Sequence, residues 1–207
     1  MRLLHISSSP RGSESVSIAV ATAYVDACRA RYPDLEVDTL DVWAEDLPEF
    51  AAAAVDVKYK LVSGEPMTDH QARTWERVRS LVDRVRRADR IVLGVPMWNW
   101  SYPYKLKQLI DLVTQRGELF TFDGQTYGPN LDIEHGLIVC VRGQSWSTHA
   151  TAPDQSCDHQ LDFLRFWLQL IGARNVDAVR VELAWGPDKE DAITRGVAEV
   201  RRLAANC

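Results

Sequence analysis

The sequence predicts an α/β fold: a doubly wound, five-stranded parallel sheet with helices on both faces. Three observations carry that prediction. Short apolar runs alternate with longer segments whose apolar residues recur every three or four positions. Two of the runs, Ile91-Val92-Leu93-Gly94-Val95 and Gly136-Leu137-Ile138-Val139-Cys140-Val141, are uninterrupted, as strands buried on both faces require. The 207 residues, 46% hydrophobic and 26% charged, suit one domain over 1–207 with a sizeable core.

Each element has its own signal. Leu3, Leu4 and Ile6 form a first strand that ends at Ser7-Ser8-Ser9-Pro10-Arg11-Gly12. A helix starts near Ser15 and places Ile18, Ala21, Val25 and Cys28 on one face, until Tyr32-Pro33-Asp34 breaks it. Leu35, Val37 and Thr39 alternate with charged residues and read as an outer strand. Residues 42–67 carry a looser signal, an alanine run at Ala51 to Ala54 and a Gly64-Glu65-Pro66 break, and are expected to be a long loop with at most one helical turn. Thr68 opens a capping box with Gln71, ahead of Trp75, Val78, Val82 and Val85 at helical spacing. The run Arg84-Val85-Arg86-Arg87 reads as a solvated helix face. Beyond the 91–95 strand, Ser101 is the expected cap of a helix with Pro103 in its first turn; Leu106, Leu109, Ile110 and Val113 line it and Gly117 stops it. Leu161, Leu164, Trp167, Leu168 and Ile171 mark a helix that ends at Gly172. Val176 to Leu183 is the last strand, and Asp188 to Ala205 a charged terminal helix.

Composition narrows the function classes. A net charge of −5 offers no basic excess for nucleic acid. No apolar run approaches the roughly 18 residues of a membrane span, and Met1 to Ile6 reads as a strand rather than a signal peptide. Cys28, Cys140, Cys157 and Cys207 lie far apart without a CxxC pair, so free thiols in a reducing cytoplasm are expected. No acidic cluster suggests a metal site. His5 reads as core or strand end, and His149 and His159 flank a polar stretch.

In a doubly wound sheet, ligands bind outside the carboxyl ends of the strands, where the loops after the first, third and fourth strands converge. The first loop is rich in hydroxyls, at Ser7, Ser8, Ser9, Ser13, Ser15 and Ser17, and feeds a helix N-terminus, which favours anions. It lacks both GxGxxG and GxxxxGK[ST], so a terminal monophosphate suits it better than a dinucleotide or triphosphate. The second loop, Pro96-Met97-Trp98-Asn99-Trp100-Ser101, offers aromatic and thioether surface for a flat ring and polar groups for its edge. The third, Arg142-Gly143-Gln144-Ser145-Trp146, joins a cation and a glycine to hydrogen-bond donors; Arg142 suits either a reduced ring or an ion pair.

With these loops, and with Leu40-Asp41, Leu47-Pro48, the lysine-bearing Leu106-Lys107-Gln108-Leu109-Ile110-Asp111 and Gly117-Glu118-Leu119-Phe120-Thr121-Phe122, nearly the whole chain resembles the FMN-dependent NADH-azoreductases, within the flavodoxin-like quinone reductases. The resemblance implies a flavodoxin-like, FMN-binding domain. Ser9, Ser15, Val16 and Ser17 would surround the phosphate; Pro96, Met97, Trp98, Asn99 and Trp100 would wrap the ribityl chain and ring; Val141, Arg142, Gly143 and Gln144 would meet the pyrimidine side. Phe120, reaching across a homodimer interface, and Trp146 would meet the substrate, and no side chain need be catalytic. The implied activity is two-electron, ping-pong reduction of quinones or aromatic azo compounds by NADH or NADPH, through the flavin. The rival readings are a one-electron carrier of the flavodoxin type, a reductase dedicated to one aromatic metabolite, and a phosphoesterase. Gln144 stands where the family usually has glycine, so a positive φ there would be strained.

Overall fold

The computed structural model describes residues 1–50, 52–145 and 158–205. In chain order the elements are β1 (Arg2–Ser7), α1 (Val16–Arg31), β2 (Glu36–Asp41), α2 (Ala52–Ser63), α3 (Asp69–Arg86), β3 (Arg90–Pro96), α4 (Tyr104–Val113), β4 (Phe120–Phe122), β5 (Tyr127–Pro129), β6 (Ile133–Val141), α5 (Leu161–Ile171), β7 (Ala173–Val181) and α6 (Lys189–Ala205). Five strands form one sheet in the order β2-β1-β3-β6-β7, all parallel, and β4 and β5 pair separately as an antiparallel hairpin.

Alternation along each strand divides the core in two. Leu4, Ile6, Ile91 and Leu93 pack with α3, α4 and α5, whereas Leu3, Val92, Leu137 and Val139 pack with α1 and α6. β3 and β6 are central and almost wholly buried, as their unbroken apolar runs require. Thr68 closes the expected capping box: its hydroxyl accepts from the Gln71 N–H at 3.2 Å, and the Gln71 side chain accepts from the Thr68 N–H at 3.0 Å.

Several expectations are corrected. The loop expected across 42–67 contains the twelve-residue α2, because alanine favours helix strongly and Val57 anchors it in the core. Ser101 caps nothing: it closes a turn, and Pro103 takes the N-cap position of α4. α4 ends at Val113, before Gly117, whose φ of 81° serves the turn into β4. β7 begins at Ala173 and stops at Val181, because Leu183 has turned left-handed at φ 60°. Arg84 is no solvated residue; its guanidinium bridges Asp38 on β2 and Glu45 beyond it. Val85 beside it is fully buried.

Candidate active site

The carboxyl ends of β1, β3, β6 and β7 enclose a cavity of about 590 Å³, within the range of small-molecule sites. Its lining is Ser9, Arg11, Ser15, Val16 and Ser17 from the first loop, Pro96 to Asn99 from the second, Val141 and Gly143 from the third, and Ala184 and Trp185 beyond β7. Among the described residues of that lining Arg11 is the one charged side chain, which favours an anion.

At one end three buried hydroxyls gather at the α1 N-terminus. Ser15 is the N-cap: its Oγ accepts from the Ile18 N–H at 3.4 Å and lies 3.1 Å from Ser17 Oγ. Ser9 Oγ accepts from the Arg11 N–H at 3.4 Å. The first N–H groups of a helix have no intrahelical partner and point out of its end. Gly94 brings this end close to the sheet, since a Cβ there would lie 3.1 Å from the Ser17 carbonyl oxygen.

The other end is aromatic. Asn99 and Trp100 are consecutive left-handed residues, φ 47° and 64°, closed by reciprocal bonds between Trp98 and Ser101 of 2.8 and 3.0 Å. Two left-handed central residues define a type I′ turn, which favours asparagine and strains tryptophan. The turn holds Asn99 in the main cavity and swings the exposed Trp100 into a neighbouring one of about 430 Å³ with Tyr102, His159 and Phe163. Trp98 rests on Trp43, with ring centres 5.6 Å apart, and Trp43 donates from Nε1 to the Ser8 carbonyl at 3.0 Å. That indole therefore ties the first loop to the second.

Arg142 does not offer its charge to the cavity. Its side chain is 2% exposed; Nε donates to Gln160 Oε1 at 3.0 Å, and Nη2 pairs with Asp158. Burial works against the Asp158 carboxylate, but the Arg142 hydrogen bond and the Leu161 and Gln160 N–H groups outweigh it and hold its carboxyl below the usual range. Gln160 donates onward to the Val95 carbonyl at 3.0 Å, so the network braces β3 against β6. Burial likewise pushes the Cys140 thiol up to about 12. Gln144 is exposed, outside the lining, and not among the described residues with positive φ, so the strain expected there does not arise.

Of the residues picked out from the sequence, Ser9, Ser15, Val16, Ser17, Pro96, Met97, Trp98, Asn99, Val141 and Gly143 meet in the cavity. Trp100, Arg142 and Gln144 lie outside its lining, as does Phe120, on the hairpin. Trp146 and His149 lie outside the described residues. Arg11, Ala184 and Trp185 line the cavity and were not anticipated. The signal for Trp185 was an indole directly before Gly186-Pro187 at the end of a strand.

A monophosphate joined to a flat heteroaromatic ring fits this donor set: hydroxyls and helix N–H groups at one end, indole and thioether surface at the other. A cleft of about 280 Å³ at the start of β1 and β2 has no aromatic residue among its described lining, and its Arg2 and Arg84 pair with its Glu36 and Asp38, so it does not suit such a ligand.

Residues 1–204 match a family model described as a flavodoxin-like fold. A protein of Burkholderia lata named FMN-dependent NADH:quinone oxidoreductase 2 is 52% identical over 205 residues, covering 99% of each chain. One of the same name from Pseudomonas syringae pv. tomato is 40% identical over 207 residues, covering 99% of this chain and 98% of that one. The crystal structure of an FMN-dependent NADH-azoreductase from Bacillus anthracis, in complex with FMN, superposes with a TM-score of 0.89 at 18% identity, covering 100% of this chain and 99% of that one. At that identity the superposition speaks for the fold.

Proposed function

The chain belongs to the flavodoxin-like fold family, and from that premise we propose that it is an FMN-dependent NAD(P)H oxidoreductase reducing quinones and aromatic azo compounds. The observation that carries this reading is the two-ended cavity, with an anion site of hydroxyls and helix N–H groups facing an aromatic wall. The relatives' names point to the same cofactor and acceptor class. When bound, FMN supplies the two-electron chemistry between a reduced nicotinamide and the acceptor.

The protein's part is to bind, orient and exclude water. Ser9, Ser15 and Ser17, with the first N–H groups of α1, hold the phosphate. Arg11 adds a positive charge nearby. Met97 and Trp98 pack on the ring, and Asn99 orients its edge. Val141 and Gly143 close the pyrimidine side, where the Gly143 backbone replaces Arg142 as the contact. Arg142 is a positioning residue, held by Asp158 and Gln160 beneath that loop. Residues 1–207 act as a single domain, and the enzyme is a cytoplasmic homodimer. The buried thiol of Cys140 suits a reducing compartment. Among the described residues, no helix is long and apolar enough to cross a membrane.

Purified protein is expected to be yellow and to release one FMN per chain on denaturation. With a nicotinamide and a quinone varied together, initial-rate plots should be parallel, because one pocket serves the two substrates in turn. Release of FAD, or a colourless protein that FMN fails to reconstitute, would overturn the reading.

A further inference from the structure

Trp185 is anomalous by ordinary burial rules. It lines the main cavity, yet its side chain is 73% exposed, the highest value among the exposed large apolar residues described. An indole kept in water at the mouth of a cavity gains by burial when a flat ligand covers it.

The chain is built to hold it there. β7 stops at Val181, Leu183 turns left-handed at φ 60°, and Gly186 follows at φ 94°. A left-handed leucine is strained, and such strain persists only where the surroundings impose it. Two backbone bonds do so: the Arg142 N–H donates to the Val181 carbonyl at 2.9 Å, and the Ala184 N–H donates to the Arg142 carbonyl at 2.9 Å. The turn carrying Trp185 is thus fastened to the third loop, whose Arg142 side chain is anchored on Asp158 and Gln160. The indole lies on Gly143: a Cβ built there would be 3.6 Å from Trp185 Cε3 and 3.7 Å from its Cδ2. The contact is ordinary, so the indole rests on the bare backbone at the pyrimidine side of the proposed flavin site.

We propose that Trp185 is a specificity-determining residue, an aromatic platform at the cavity mouth that stacks on the incoming acceptor and favours fused two-ring quinones over single-ring ones. The inference rests on the flavin reading above. Stacking gain grows with the area of ring covered. A naphthoquinone can cover both rings of an indole, whereas a benzoquinone covers about half. The platform is uncharged, and among the described lining residues the one charged side chain, Arg11, lies on the first loop at the phosphate end, so the favoured acceptor is neutral or weakly polar.

The test is the selectivity of the holoenzyme, taken as kcat/KM for an unsubstituted 1,4-naphthoquinone divided by that for 1,4-benzoquinone, in wild type, Trp185→Phe and Trp185→Ala. FMN content is measured for each. The ratio should fall about fivefold or more in Trp185→Ala, mainly through KM for the naphthoquinone, with Trp185→Phe between the two. Equal losses with both quinones, or no change with either, would overturn the proposal while leaving the flavin reading intact. Loss of FMN from both variants would make Trp185 a cofactor wall and also overturn it. A wild-type chain that takes up no FMN would remove the flavin reading and this proposal with it.

Discussion

Ser15 stands at the helix end and in the cavity with one oxygen: it caps α1 through the Ile18 N–H and sits beside Ser17 in the lining. Its loss therefore has a structural cost of about 0.5–2 kcal/mol as a cap, which has to be separated from lost phosphate contacts. Riboflavin, which lacks the phosphate, makes the separation. Hydrogen bonds to a charged group are worth roughly 1.5–3 kcal/mol each, so Ser15→Ala/Ser17→Ala should weaken FMN binding by on the order of a hundredfold or more. Riboflavin affinity should barely move; equal losses for both ligands would assign the serines to the fold alone. His5 poses a different question. It is buried on β1, its Nε2 has no partner among the described residues, and burial lowers its pKa from 6.5 to about 4. Between those values the unfolded chain binds a proton that the folded chain refuses. Stability is thus full above about pH 6.5 and falls as the pH drops towards 4, by about 3 kcal/mol. Urea unfolding of the holoprotein should show that loss, and His5→Leu should flatten it. The Asp158 carboxyl titrates below its usual range and adds its loss only at lower pH. An unchanged slope in His5→Leu would acquit His5.

Helix stops were legible in the sequence where one residue type settles them, and illegible where packing does. Gly172 was visible as the end of α5, and its φ of 119° is a conformation that side chains rarely adopt. The sequence did not reveal that a Cβ there would fall 2.1 Å from the Leu131 carbonyl oxygen. That segment is bound to the helix end, through the Leu131 N–H to Ile171 and the Ile133 N–H to Gly172, so it cannot simply move aside. Gly172→Ala should accordingly cost well above the roughly 1 kcal/mol of an ordinary substitution. Gly124→Ala is the control, at φ 104° with nothing within 4 Å of its Cβ, and should cost only the left-handed penalty of roughly 1–2 kcal/mol. Equal midpoints in thermal unfolding would show that torsion, not the Leu131 contact, dominates. The opposite cases are α2 and the β4–β5 hairpin. α2 lacks a clean apolar stripe and relies on alanine propensity plus Val57. The hairpin strands are three residues each, too short for any periodicity, and they end on Pro129.

At the scale of the whole molecule, the alternation of strands with helices gives a parallel sheet covered on both faces, and with it the end at which the loops meet. The contribution of β7 was missed because an edge strand is expected to end outside the switch point. Its in-register pairing with β6, Val181 beside Val141, brings Trp185 back to the third loop. The proposed homodimer belongs to the same scale. Leu119, just before the hairpin, is fully buried in its own chain and cannot serve an interface. Phe120 and Phe122 are half-buried on the hairpin, and Tyr127 opposite them is exposed, stacked on Phe122 with ring centres 4.5 Å apart. Phe166, on the helix that packs beside β5, is exposed as well. Exposed rings on a hairpin and on the helix beside it suit an interaction surface. A twofold axis would make that surface self-complementary and carry Phe120 towards the other subunit's cavity. Light scattering at micromolar concentration should therefore give twice the 23.4 kDa of one chain. Tyr127→Glu/Phe166→Glu should shift the mass towards one chain by placing charges in the apolar contact. If the partner completes the substrate site, quinone turnover should fall with the mass, while the phosphate end, built wholly from α1 and its loop, should still hold FMN. A wild-type monomer with full FMN and full turnover would overturn the dimer and assign Phe120 to its own hairpin.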